Sequence, residues 1–121
     1  MDPLSHLVIG AAIEVHRGLG PGLLESVYET CLAHELRKRS VRFDRAVQLP
    51  VIYDGRRMEA HFRLDLVVDA TLVVELKSVE RLLPVHRAQL LTYLRLGGFK
   101  RGLLINFNVD RLIDGVKRLA N

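Results

Sequence analysis

The chain has one cysteine, Cys31, and no tryptophan in 121 residues. A lone thiol excludes an internal disulfide and points to a reducing compartment. The five histidines, His6, His16, His34, His61 and His86, are scattered without His-x-x-x-His spacing or a cysteine pair, which argues against a zinc site. No apolar run approaches the ~20 residues needed to cross a bilayer, and the N-terminus has no basic segment leading into an apolar one. The expectation is a soluble, cytoplasmic protein with no membrane partner. No serine stands in the strained elbow of a serine hydrolase. Gly18-Leu19-Gly20-Pro21-Gly22 has the glycine content of a phosphate loop, but it lacks the lysine pattern and a preceding strand, so it is expected to be a turn.

Hydrophobic residues make up 49% of the chain, enough for one core, and the length suits one domain over residues 1–121. The net charge is +4 and arginine outnumbers lysine, which favours a polyanionic partner and suits phosphate contacts. Leu4, Leu7, Val8, Ala11, Ala12 and Val15 recur at helical spacing, predicting a first helix that ends near His16-Arg17. A second helix is expected from Leu23 to about Arg39, burying Leu24, Val27, Tyr28, Cys31, Leu32 and Leu36. Its Arg37-Lys38-Arg39 end and its early Glu25 suit the helix dipole, and by that test alone neither Glu25 nor Glu29 needs a functional role.

Strands are expected at Val41 to Tyr53, Met58 to Val68 and Leu72 to Ser78, with Asp54-Gly55 as the first turn and Pro50 marking an edge strand or a bulge. A third helix runs from Pro84 to Leu96, with Val85, Leu90, Leu91 and Leu94 on its apolar side, followed by a buried strand at Gly102 to Phe107. The tail fits a helix through Leu112, Ile113 and Val116 or a short strand at Val116 to Leu119.

The chemistry concentrates in Arg63-Leu64-Asp65-Leu66-Val67-Val68-Asp69-Ala70-Thr71-Leu72-Val73-Val74-Glu75-Leu76-Lys77. Charged groups inside apolar strands need a partner or a metal. Glu75 and Lys77, two apart, share a face. A two-residue loop at Asp69-Ala70 puts Asp65 opposite Val74, away from Glu75, whereas a three-residue loop ending at Thr71 sets it across from Glu75. If the three converge, two carboxylates offer hard oxygen ligands for Mg²⁺ or Mn²⁺, with a lysine beside them to help orient or deprotonate a water. That is a device for hydrolysing a phosphodiester. A solvated cross-strand ion pair is the plain alternative.

Asp65 followed by Glu75-Leu76-Lys77, within the order helix, three-strand meander, helix, strand, resembles the core of the PD-(D/E)XK nuclease superfamily. Gln89-Leu90-Leu91-Thr92-Tyr93 looks like the Q-x-x-x-Y motif of its RecB-like and lambda-exonuclease-like branch. Gly22-Leu23-Leu24-Glu25-Ser26-Val27-Tyr28 is similar to the signature of the small GxxExxY proteins. Leu64 stands where the superfamily name has proline, a position the ligand chemistry does not require.

The resemblance implies an α/β, restriction-endonuclease-like core: a mixed sheet with an antiparallel three-strand meander, flanked by helices. It implies Asp65 and Glu75 as ligands of Mg²⁺ or Mn²⁺, with Glu25 facing the metal directly or through water. Lys77 would act on the nucleophile, and Gln89 and Tyr93 would sit at the edge of the site. Arg63, Arg87 and His86 are candidate substrate contacts. The expected function is metal-dependent hydrolysis of DNA, with a homo-oligomer or larger protein partner in view because so small a domain wraps little duplex. A nucleic-acid-binding or protein-interaction module with little activity of its own, and a hydrolase acting on another phosphoester, are the rival expectations.

Overall fold

The computed structural model describes residues 2–121, and these form three α-helices, five strands and one 3₁₀ turn. Helix α1 (Pro3–Leu19) begins where Asp2 accepts hydrogen bonds from the Ser5 N–H (2.8 Å) and hydroxyl (2.7 Å), with Pro3 in the first turn, and ends at Gly20. It outruns the expected end at Arg17. Helix α2 (Glu25–Lys38) follows the glycine connector. Then come β1 (Phe43–Tyr53), β2 (Arg56–Val68), β3 (Leu72–Lys77), α3 (Pro84–Gly97), β4 (Arg101–Asn106), the 3₁₀ turn (Leu112–Gly115) and β5 (Val116–Ala120).

The strands lie in the order β1-β2-β3-β4-β5. Every neighbouring pair is antiparallel except β3 and β4, which run parallel and are joined by α3, the crossover that a parallel pair requires. The fold is therefore the mixed, helix-flanked sheet with a β1-β2-β3 meander that the sequence predicts. The ambiguous tail resolves into the short turn and an edge strand.

Two cores lie on opposite faces of this sheet. On one, Val8, Ala12, Tyr28 and Leu32 of α1 and α2 pack on Leu66, Val74, Leu76 and Leu103. On the other, Leu90, Tyr93 and Leu94 of α3 pack on Leu64, Val67, Val73 and Leu104. Strand β3 is buried on both faces from Leu72 to Leu76, which explains an apolar run broken within that span only by Glu75.

Three apolar residues expected in the core lie outside it. Leu24 is 73% exposed because α2 begins one residue later, leaving Leu24 in extended backbone at the cap. Val27 and Val85 are also exposed, since α2 packs through Tyr28, Leu32 and Leu36 and α3 through Leu90, Tyr93 and Leu94.

The β2–β3 hairpin sets the register on which the site depends. Val68 pairs with Leu72, and Asp69 and Ala70 both take left-handed backbone (φ 50° and 56°) while the Thr71 N–H donates to the Val68 carbonyl at 3.0 Å. The loop is the three-residue one, and its register puts Asp65 across from Glu75. The ladder ends at Leu66–Val74. On the other side of β2, the pairing with β1 skips Ala46 and Asp65, and Ala46 has φ 51°. Strict alternation slips at this point, for Leu64 packs with α3 whereas Leu66 packs with α1 and α2. The slip frees Asp65 from the regular pleat.

Gly115 closes the 3₁₀ turn against β4, where a Cβ would be driven into the carbonyl oxygen of Asn106. That oxygen belongs to a strand held between β3 and β5 and cannot yield. Gly115→Ala is expected to cost about 1–3 kcal/mol of stability by overpacking, read as a lower urea midpoint at unchanged slope; an unchanged midpoint would show that the turn moves freely.

Candidate active site

The site begins with a tyrosine that carries no charge. Tyr28 is fully buried and stacked on Phe107 (centroids 4.4 Å apart, planes 9° apart). Its hydroxyl donates to the Gly20 carbonyl at 2.7 Å and accepts from the Leu23 N–H at 3.1 Å, spanning a turn in which Gly22 has φ 91°, a value that favours glycine. The Leu23 carbonyl in turn accepts from the Ser78 hydroxyl at 2.5 Å, just past β3. The connector is thus tied to α2 at one end and to the charged strand at the other. This arrangement fixes the start of α2, and with it Glu25, beside β3.

Where the β2–β3 ladder ends, the carboxyl groups of Asp65 and Glu75 come together, close enough for each to act on the charge of the other. Oδ2 of Asp65 also accepts from the Leu76 N–H at 2.9 Å. Glu75 is 5% exposed, and its Oε1 is buried with no hydrogen-bond partner among the described residues. Burial, and then the neighbouring carboxyl of Asp65, push the Glu75 carboxyl up to about 9, against the pull of the Lys77 ammonium. Lys77 is half-buried, and its side chain makes no hydrogen bond or close ion pair to a described residue.

Helix α2 supplies a carboxylate that the sequence argument set aside. Glu29, buried between Tyr28 and Leu32, accepts from Arg63 Nη2 (3.1 and 3.3 Å) and from Arg45 Nε and Nη2 (3.2 and 2.9 Å). Arg63 Nη1 donates to Oδ1 of Asp65. Burial works against the Arg63 charge, but the bond to Glu29 and the charges of Glu29, Asp65 and Glu75 outweigh it. Glu25, Ser26, Glu29, Arg63, Asp65 and Leu76 line a cavity of about 180 Å³. One signal could have found Glu29: it is an acidic residue inside the apolar stripe of an amphipathic helix.

On α3, Tyr93 is buried near the pair, its phenol pKa raised by burial and by the charges of Glu75 and Asp65, and its ring lies 5.2 Å from that of Phe62. Gln89 and Arg87 are exposed on the same helix and make no hydrogen bond to either carboxyl. His86 caps α3, its Nδ1 accepting from the Leu83 N–H at 3.0 Å. The structure therefore gathers Asp65, Glu75, Lys77, Arg63 and Tyr93, with Glu25 on the wall of the adjoining cavity, while His86 is engaged elsewhere.

The donor set suits a hard divalent cation. It offers two neighbouring carboxyl groups, one oxygen of which is buried without a partner among the described residues, next to a cavity. Among the described residues no group of three or more His, Cys, Asp and Glu is arranged so as to hold a metal ion.

A five-stranded mixed sheet with a carboxylate pair and a lysine where its central hairpin opens defines a restriction-endonuclease-like fold with an acidic centre. The chain belongs to the PD-(D/E)XK nuclease superfamily, whose family model matches residues 2–119. Neither a search of curated proteins nor one of solved structures returned a match. Nucleic acid is the class of partner that membership implies, and divalent metals are in general use across the superfamily. No helix among the described residues is long and apolar enough to cross a membrane.

Two predictions follow from the geometry. In the folded, metal-free protein Glu75 holds its proton up to about pH 9, whereas the unfolded chain releases it near 4.5, so the folded state binds more protons between these limits and loses stability as pH rises through them. The melting temperature of Glu75→Gln minus that of wild type is expected to grow from pH 5 to pH 9; a constant difference would show that Glu75 is ionised throughout. Tyr28→Phe, which keeps the stack and removes both hydroxyl bonds, is expected to cost about 1–3 kcal/mol in chemical denaturation. A loss below about 0.5 kcal/mol would mean that the connector holds its place without the hydroxyl.

Proposed function

We propose that the protein is a nuclease that hydrolyses phosphodiester bonds in DNA with the help of Mg²⁺ or Mn²⁺. The observation that carries this is the Asp65–Glu75 carboxyl pair, in which Glu75 is buried with one oxygen lacking a partner among the described residues and Lys77 stands two residues along the strand. Two neighbouring carboxyls at a buried point are stable as anions only around a cation.

Asp65 and Glu75 would hold the metal, and Glu25, on the cavity wall, would support it directly or through water. A divalent cation bound there supplies Lewis acidity toward water and the phosphoryl oxygens. Lys77, whose side chain makes no hydrogen bond or close ion pair to a described residue, orients the attacking water through its N–H donors or, in its neutral amine form, takes the proton of that water. Tyr93 and Gln89 border the reacting groups from α3, the phenol adding no charge to a crowded centre. Arg63 and, further out, Arg87 and His86 contact the substrate backbone, Arg63 having the planar fork that suits a phosphate. Within the superfamily, Gln89 with Tyr93 supports placement in the RecB-like and lambda-exonuclease-like branch. The Gly22–Glu25–Tyr28 spacing, with the tyrosine clamping the glycine turn, supports the GxxExxY group.

Purified protein incubated with linear, circular and single-stranded DNA and with RNA, in Mg²⁺, Mn²⁺ or EDTA, is expected to cut DNA only with metal. Glu75→Ala is expected to abolish cutting, and Lys77→Met to lower it by about 10²-fold or more while metal binding persists. Salt-sensitive binding without cleavage in either metal would replace the nuclease with a binding module. Wild-type rates in Lys77→Met would remove the lysine from the mechanism.

A further inference from the structure

The proposed metal centre already contains a cation of its own. Arg63 stands on β2 two residues before Asp65, and its guanidinium bridges two carboxylates from different elements: Nη1 to Oδ1 of Asp65, and Nη2 to both oxygens of Glu29 on α2. Oδ2 of Asp65 is taken by the Leu76 N–H. Each oxygen of the candidate metal ligand therefore already accepts a hydrogen bond, one of them from a full positive charge.

Glu29, in contrast, is doubly served, because Arg45 reaches it through Nε and Nη2 and is steadied by Thr30 Oγ1 at 3.3 Å. The two contacts of Arg63 thus differ in kind. The one to Glu29 is a two-oxygen contact with a 7% exposed carboxylate, whereas the one to Asp65 meets a more exposed carboxylate at the site itself. A divalent ion at Asp65 and Glu75 would repel a guanidinium bonded to the same carboxylate, while the anchor at Glu29 would remain.

We propose that Arg63 is a resident counter-ion of the metal-free site: it occupies Asp65 until a divalent cation displaces it, and then swings about its anchor on Glu29 to face the substrate phosphate. The inference rests on the metal being held by Asp65 and Glu75 as set out under the proposed function. It makes Glu29 a positioning residue and adds a competition in which metal binding and exposure of the arginine are the same event. Because linkage is reciprocal, removing the guanidinium must tighten metal binding, even though a purely structural role for Arg63 would weaken it. Arg45 is the internal control, since it shares Glu29 but makes no bond to Asp65.

Mn²⁺ and Mg²⁺ affinities of the full chain, measured by calorimetry without nucleic acid, test this. Arg63→Gln is expected to bind Mn²⁺ about fivefold or more tightly than wild type, and Arg45→Gln within about twofold of it. Equal or weaker binding by Arg63→Gln, or an equal gain in Arg45→Gln, overturns the proposal and leaves the metal site standing. No metal binding by the wild type overturns both.

Should the variants fail to fold, the wild-type chain supplies the test through its arginine Nε–H signals in ¹⁵N spectra during a Mg²⁺ titration. The Arg63 signal is expected to move at the midpoint of metal binding while that of Arg45 stays; an Arg63 signal unmoved at saturating Mg²⁺ refutes the displacement.

Discussion

The meeting of two carboxyls, those of Asp65 and Glu75, is the constraint around which the molecule is arranged. Two such groups side by side in a buried place cannot both be anions unless a cation joins them, so in the metal-free chain one keeps its proton. The hairpin turn exists in the one register that sets them opposite each other. The ladder ends before reaching them, and the β1 pairing omits the residue facing Asp65. Each of these features gives up a backbone hydrogen bond or a comfortable conformation, and each is explained by the need to bring two side chains out of the pleat to one point.

The surrounding elements serve that point from both faces of the sheet. Tyr28 and Ser78 tie the glycine connector to β3, so that α2 starts beside the acidic pair. Glu29 then carries two arginines to the same region, and Tyr93 seals it from α3. The basic character of the chain is thus partly spent internally. Arg45 and Arg63 balance Glu29 and Asp65, which means that net charge alone overstates what is free to meet a polyanion.

Much of this was legible before any coordinates. The apolar run of β3 broken by Glu75 and Lys77, the Asp-Ala-Thr turn and the glycine-rich connector specify local structure by period and turn chemistry, and they gave the meander and the helix–strand order correctly. Register was not legible, because Asp69-Ala70 and Asp69-Ala70-Thr71 are both acceptable loops and the choice is made by left-handed backbone at two non-glycine residues. Glu29 was missed for a related reason. A glutamate in the first turns of a helix is satisfied by the dipole, and only tertiary packing shows that its face is turned inward. Leu24 and Val85 show the reverse error, in which apolar residues at helix starts were assigned to a stripe that begins later.

The central claim is that the acidic pair is a divalent-cation site. Its most direct test is a crystal of the wild-type chain grown with Mn²⁺ and measured for anomalous scattering at the manganese edge. The account predicts a peak bonded to oxygens of both Asp65 and Glu75. No peak between them at saturating Mn²⁺ would contradict it.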